Sequence, residues 1–341
     1  MIDVLIFFIG ASLLLYVLLG GSDYGAGIIE LLPAGAKREP QKKIINYAMG
    51  PVWEANHMWL ILVVVILFMG FPRIFTTLMV YLHLPMLALL GGIVVRGAAF
   101  TFRHYDAVQE PRSQRIYTVI FGLSSLWTAF WLGVIAASLN RGLIDPAATS
   151  VWTAYVAPWW GWYPVAVGAF VVCIFVFLAA IFLIGETTEP ELRRRFTRQA
   201  IAGNALVIMS GGGVFLASLA EKDNLFAEFL REPLLLGVLA VATGLCAALW
   251  RFIGQGHTLL MRTVAAGQVT LILVGWLLLY APNALTTVDG AVTFYHAAAP
   301  PATLRQLLIA LGVGSVFIFP SLYVLFRVFK INRHGGTKPA A

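Results

Sequence analysis

The sequence predicts an all-α membrane protein that crosses the bilayer about nine times. Three observations predict this. Hydrophobic residues make up 60% of the 341 positions and charged residues only 11%, whereas a soluble domain is about a quarter charged. The mean hydropathy is +0.85. The apolar residues also fall in long runs, not in the alternating segments of roughly ten residues that mark a membrane barrel. In lipid such runs must satisfy their backbone groups internally, as helices do.

The runs cover residues 2–31, 50–71, 75–99, 116–139, 162–184, 200–220, 233–253, 262–282 and 304–328. Each is long enough for a crossing of about 20 residues. The first begins MIDVLIFFIG, with no basic n-region and no obvious cleavage site; it reads as a retained helix, not a signal peptide. It is long for one span, and its glycine-rich end, Gly20 to Gly27, is expected to bend or unwind. Trp152, Trp159, Trp160, Trp162 and Tyr163 precede the fifth span and supply an interfacial aromatic belt, as does the stretch from Tyr280 to Leu304 before the ninth. No loop is long enough for a separate soluble domain. Runs such as Gly211 to Gly213 suit close helix packing.

The basic residues set the orientation. Seventeen lie in the loops and tail of one side, and five, Arg73, Arg141, Lys222, Arg231 and Arg305, lie on the other. The positive-inside rule makes the richer side cytoplasmic, so the N-terminus is outside and the C-terminus inside. The net charge of +7 then reflects contact with anionic lipid, not nucleic acid. Cys173 and Cys246 are the only cysteines, which excludes a disulfide framework. There is no phosphate-binding GxxxxGK[ST] motif, so the chain is not expected to drive transport with ATP by itself. No catalytic or metal-ligating set is read in it.

Chemistry is expected at two acids within spans, Asp23 and Glu54. A carboxylate in hydrocarbon is costly unless paired, hydrated or protonated, and groups kept there usually serve ion or proton traffic. At 1.5 Å per residue, Glu54 lies roughly 6 Å and Asp23 roughly 12 Å from the cytoplasmic end of its span. That placement suits a half-channel drawing protons from the cytoplasm. His57 follows Glu54 by three residues, on the same helix face. Asn56 and Ser22 add neutral groups able to hold water. The competing reading is that Asp23 and Glu54 simply pair with Arg96 or with another subunit. His57 and His83 are read as intramembrane, about 10 Å from the inner and 12 Å from the outer surface; those heights argue against a shared haem, which needs both imidazoles at one level.

The segments GGSDYGAGIIELL (20–32), NYAMGPVWEANHMWLILVVVILFMGFP (46–72), LPMLALLGGIVVRGAAFTFR (84–103) and LTTVDGAVTFYHAAAPPATLRQLL (285–308) together resemble subunit II of the cytochrome bd-type quinol oxidases, toward the cyanide-insensitive branch. The resemblance covers residues 1 to about 330. It implies a single membrane domain over 1–330, with one four-helix bundle in 1–140, a second in 158–283, a ninth helix at 304–328 and a cytoplasmic tail at 331–341. It implies a haem-free subunit that scaffolds a haem-bearing subunit I and contributes a proton path from the cytoplasm for reduction of dioxygen to water by membrane quinol. The b- and d-type haems, or b-type alone, belong to subunit I. Asp23 and Glu54 match acidic positions associated with that path. Arg96 and Arg103 match too, and both are expected to be structural. Some family members hold a structural quinone here, though no residue places that site. A small third subunit and lipids complete the expected partners. The competing class is a secondary transporter, with Asp23 and Glu54 as coupling site and Gly20 to Gly27 as a broken helix.

Overall fold

The computed structural model describes residues 1–50, 53–106, 110–221, 225–255 and 257–328; the proposed tail, 331–341, lies outside them. Among the described residues nine helices are long and apolar enough to cross a membrane. The first span is α1 (Ile2–Leu15), a π-helical turn over Tyr16–Gly20, and α2 (Gly21–Leu31). It is followed by α3 (Arg38–Met49), the second span α4 (Trp53–Gly70), a short α5 (Pro72–Tyr81), the third span α6 (His83–Tyr105) and the fourth α7 (Pro111–Ser138). After α8 (Val151–Tyr155) come α9 (Trp162–Ile184), α10 (Pro190–Ala220), α11 (Leu225–Arg231), α12 (Pro233–Gln255) and α13 (Thr258–Tyr280). A hairpin of β1 (Asn283–Thr287) and β2 (Gly290–Thr293) precedes α14 (Pro301–Phe326).

Two expectations are corrected. The segment from Gly20 to Gly27 neither bends open nor unwinds: α2 is helical throughout and buried from Gly21 to Glu30. Its glycines bring α7 and α9 close, and the irregularity sits one turn earlier, as the π-helical turn. This removes the broken helix on which the transporter reading leaned. The third span begins at His83, not at residue 75. Pro72 starts a separate helix, α5, which ends before Leu82. His83 is therefore the first residue of its span, and Arg96 lies well inside it.

The core forms where α9 packs against α2 and α7 on one side and α10 on the other. Phe175, Phe177, Leu178 and Ile181 of α9 join Tyr16, Tyr24 and Ile29 in one buried cluster. Helices α7 and α9 touch backbone to backbone: a Cβ on Gly133 would stand 2.7 Å from the Val167 carbonyl oxygen and 2.8 Å from Gly168 Cα. Close approach of this kind replaces the hydrophobic drive that lipid does not provide. Helix α6 lies on the far side of α7, and α12 pairs with α13. Asn204 of α10 binds this pair through polar contacts: its Nδ2 donates to Gln268 Oε1 (3.2 Å), and its Oδ1 accepts from Trp250 Nε1 (3.0 Å) and the Cys246 thiol (2.9 Å).

The hairpin was not anticipated in the sequence. It closes the opposite end by backbone bonds from Thr286 N to Leu139 O (2.8 Å) and from Val288 N to Ile144 O (3.0 Å). The same layer holds Arg141, whose guanidinium meets Glu221 at 2.7 Å and donates to the carbonyls of Ala157, Pro158 and Trp160.

Candidate functional site: buried ion pairs and an outward carboxylate

Asp23 lies on the buried face of α2, 1% exposed, and forms an ion pair with Arg96 (Oδ1 to Nη2, 2.7 Å). Arg96 is itself 1% exposed; its Nε donates to Ser125 Oγ at 3.0 Å, and its guanidinium lies 4.7 Å from the ring centres of Tyr24 and Phe121. Two turns further along, Glu30 pairs with Arg103 (2.7 Å), which also donates to Asn46 Oδ1. Partners are 73 positions apart in both pairs. This equal offset requires α2 and α6 to run in the same direction, with the two pairs about 10 Å apart along the axis. The arginines reach α2 past α7, where Phe121 separates the two guanidiniums at 4.7 and 4.6 Å.

The second pair was not singled out in the sequence. Glu30 sits near the end of an apolar run. The available signal was the shared seven-residue step, Asp23 to Glu30 and Arg96 to Arg103. Below Glu30, Gln41 Nε2 donates to Ile29 O (3.2 Å) and its Oε1 accepts from Arg195 Nε (2.7 Å). Lys42 donates to Gln114, which donates to the Arg103 carbonyl. Burial beside Arg103 pushes the Lys42 ammonium below the usual lysine range. At this level polar side chains join the ends of α2 and α6 to the starts of α3, α7 and α10.

Glu54 does not join Asp23. It occupies the first turn of α4 and is exposed on the surface of the chain. His57, one turn on, is half-buried, with its ring 5.8 Å from Tyr24, 6.2 Å from Tyr16 and 6.3 Å from Trp53. The Tyr16 and Tyr24 hydroxyls are 2.9 Å apart, and Tyr24 faces Arg96. A polar and aromatic series therefore runs from outward Glu54 through His57 and Tyr24 to the buried Asp23–Arg96 pair. Ser22 and Asn56 have a different placement from the one expected. Both donate to the Leu19 carbonyl in the π-helical turn, at 2.8 and 3.4 Å.

Histidines 57 and 83 do not fit a shared haem. His57 is in the second turn of α4, thirteen residues before its end, while His83 starts α6 beyond α5 and bonds Val80 O through Nδ1 (2.8 Å). His57 thus lies about 20 Å along the axis from the end of α4, and His83 lies beyond that end, after α5. Among the described residues there is no group of three or more His, Cys, Asp or Glu side chains able to hold a metal.

Residues 1–329 match the family model of cytochrome bd terminal oxidase subunit II. The chain belongs to that family. Among curated subunit II proteins, it is 25% identical over 237 residues to cytochrome bd ubiquinol oxidase subunit 2 of Bacillus subtilis, covering 69% of this chain and 68% of the relative. It is 22% identical over 212 residues to the bd-I subunit 2 of Escherichia coli K12, covering 61% and 55%. Among solved structures, the bd oxidase from Geobacillus thermodenitrificans superposes with a TM-score of 0.69 over 97% of this chain and 99% of that one, at 18% identity, a likeness of fold. Membership in the subunit II family makes this chain part of an oxidoreductase complex, with a partner implied. Nine apolar helices in a respiratory oxidase family imply a bacterial inner membrane.

Proposed function

We propose that this chain is the haem-free subunit II of a bd-type quinol:oxygen oxidoreductase. It scaffolds a haem-bearing subunit I and passes cytoplasmic protons toward the site where dioxygen is reduced to water. When bound in subunit I, the haems supply electron transfer and oxygen activation; this chain supplies the frame and a proton-carrying surface. The N-terminus is placed outside and the C-terminus in the cytoplasm, on the distribution of seventeen basic residues against five.

The observation that carries the proton role is the exposure of Glu54 in the first turn of a membrane helix. A free carboxylate facing lipid is costly, so it faces a hydrated seam at the partner subunit. There it can take a proton from the cytoplasmic side, with His57 next along the same face. Asp23 has a different task. Held by Arg96, it is a fixed negative charge behind the route, and Ser22 and Asn56 stiffen the adjacent π-helical turn.

The test is quinol-driven oxygen consumption by the assembled complex. Glu54→Ala is expected to lower turnover at least tenfold, in line with loss of a proton-transferring group. Glu54→Asp is expected to keep most of it. An assembled Glu54→Ala enzyme that consumes oxygen at the normal rate would remove the proposal. The haem assignment is checked separately by the spectrum of this chain purified alone, which is expected to show no Soret band.

A further inference from the structure

The start of α10 carries a basic pocket that the proton route does not use. A cavity of about 400 Å³ opens between the α2–α3 connection and α10, lined by Lys37, Glu191, Arg194, Arg195, Arg198 and Gln199. The acids there are already satisfied: Lys37 Nζ contacts Glu189 Oε1 at 3.1 Å and also Glu191. These bonds, that to Glu191 foremost, hold the Lys37 ammonium above the usual lysine range. Arg195 is engaged with Gln41 Oε1 and the Pro33 carbonyl. Arg194 and Arg198 remain. Both are exposed, and neither has a hydrogen bond or ion pair among the described residues; the only acid there whose charge Arg194 meets is Glu191, which Lys37 already holds.

Two arginines four residues apart on one helix face repel each other. They are stable neighbours when an anion bridges them, and the guanidinium fork suits phosphate oxygens. Gln199 Oε1 is buried without a donor among the described residues, so a headgroup hydroxyl would satisfy it. The continuation of the face indicates where the anion comes from. Stepping by three and four, Arg194 and Arg198 lead to Ile201, Ala205 and Ile208, and the two isoleucines are 43% and 50% exposed. Cationic heads above an apolar stripe match an amphiphile, not a free ion. Helix α10 has 31 residues, more than the 20 or so that a crossing needs, so its first turns stand at the headgroup level.

We propose that this pocket binds the phosphate of an anionic phospholipid, with the acyl chain laid along Ile201 and Ile208 of α10. The inference rests on the membrane span of α10 alone and survives failure of the proton-route reading.

The assembled oxidase is to be treated with a photoactivatable phosphatidylglycerol and the crosslinked peptides mapped. Labelling concentrated within residues 190–209 is expected; no label there overturns the site. In native mass spectrometry, Arg194→Gln/Arg198→Gln is expected to bind phosphatidylglycerol roughly thirtyfold more weakly, from the loss of two charges at the surface. Arg194→Lys/Arg198→Lys, which keeps both charges but not the forks, should bind more weakly than the wild type and more tightly than the Gln variant. Inorganic phosphate is the second arm. If it displaces the lipid at equal concentration, the site is a phosphate site and the lipid assignment falls. Equal lipid binding in wild type and the Gln variant also overturns it.

Discussion

An Asp23→Ala chain is expected to lose about 3–5 kcal/mol of stability and to assemble poorly, because it strands Arg96 as a buried charge. Both side chains are 1% exposed, and the remaining contacts of the guanidinium are Ser125 Oγ and two aromatic rings. Ring faces attract a cation by about 1–2 kcal/mol, too little to replace a carboxylate at 2.7 Å. Arg96→Ala should do comparable damage by stranding the carboxylate. The double variant Asp23→Ala/Arg96→Ala should cost less than the sum, since no charge remains unpaired. The measurement is thermal unfolding and yield of the purified complex for the four members of the cycle. Full stability with lost turnover in Asp23→Ala would show instead that Asp23 carries protons and is not a fixed counter-charge.

Gly25→Ala is expected to be at least as damaging, through sterics alone. A Cβ at Gly25 would land within the van der Waals envelope of the Phe175 backbone carbonyl, with the Ala179 methyl 2.8 Å away. Overpacking ordinarily costs about 1–3 kcal/mol because side chains can turn aside. A backbone carbonyl inside a helix cannot, so α2 and α9 must separate along the centre of the core. Little or no assembled complex should accumulate in the membrane fraction. Gly244→Ala is the control: nothing lies within 4 Å of its Cβ position, and normal assembly is expected. Normal accumulation of the Gly25 variant would mean that the α2–α9 crossing is looser than its geometry indicates.

The spans were legible because crossing a bilayer imposes length and composition locally. The first expected range agrees with its span at both ends, and the second, fifth, seventh, eighth and ninth agree with theirs to within a few residues. Errors fell where a neighbour decides the outcome. Pro72 to Tyr81 is apolar enough to read as part of a span, yet its helix ends before Leu82 and α6 begins afresh. The glycines of α2 carry the same letters in a broken helix and in a tightly packed one; only the positions of Phe175 and Ser125 distinguish them. Of the candidate polar residues, Asp23 and Arg96 meet, while Glu54 turns outward and Ser22 and Asn56 serve one carbonyl. Glu30 stands at the end of its apolar run, where an acid carries no signal, whereas Asp23 stands inside it.

The amino-acid order alone determined that this chain lies in a membrane, where its helices run, and to which family it is similar, since each is written in local runs and a dense block of residues around Gly50 to Leu60. Only the packed chain decided which charges cancel and which stay available. Charge balance in a low-dielectric interior depends on distances of a few ångströms between helices far apart in sequence, and those distances are fixed by how glycine and aromatic surfaces on α2, α7 and α9 fit together.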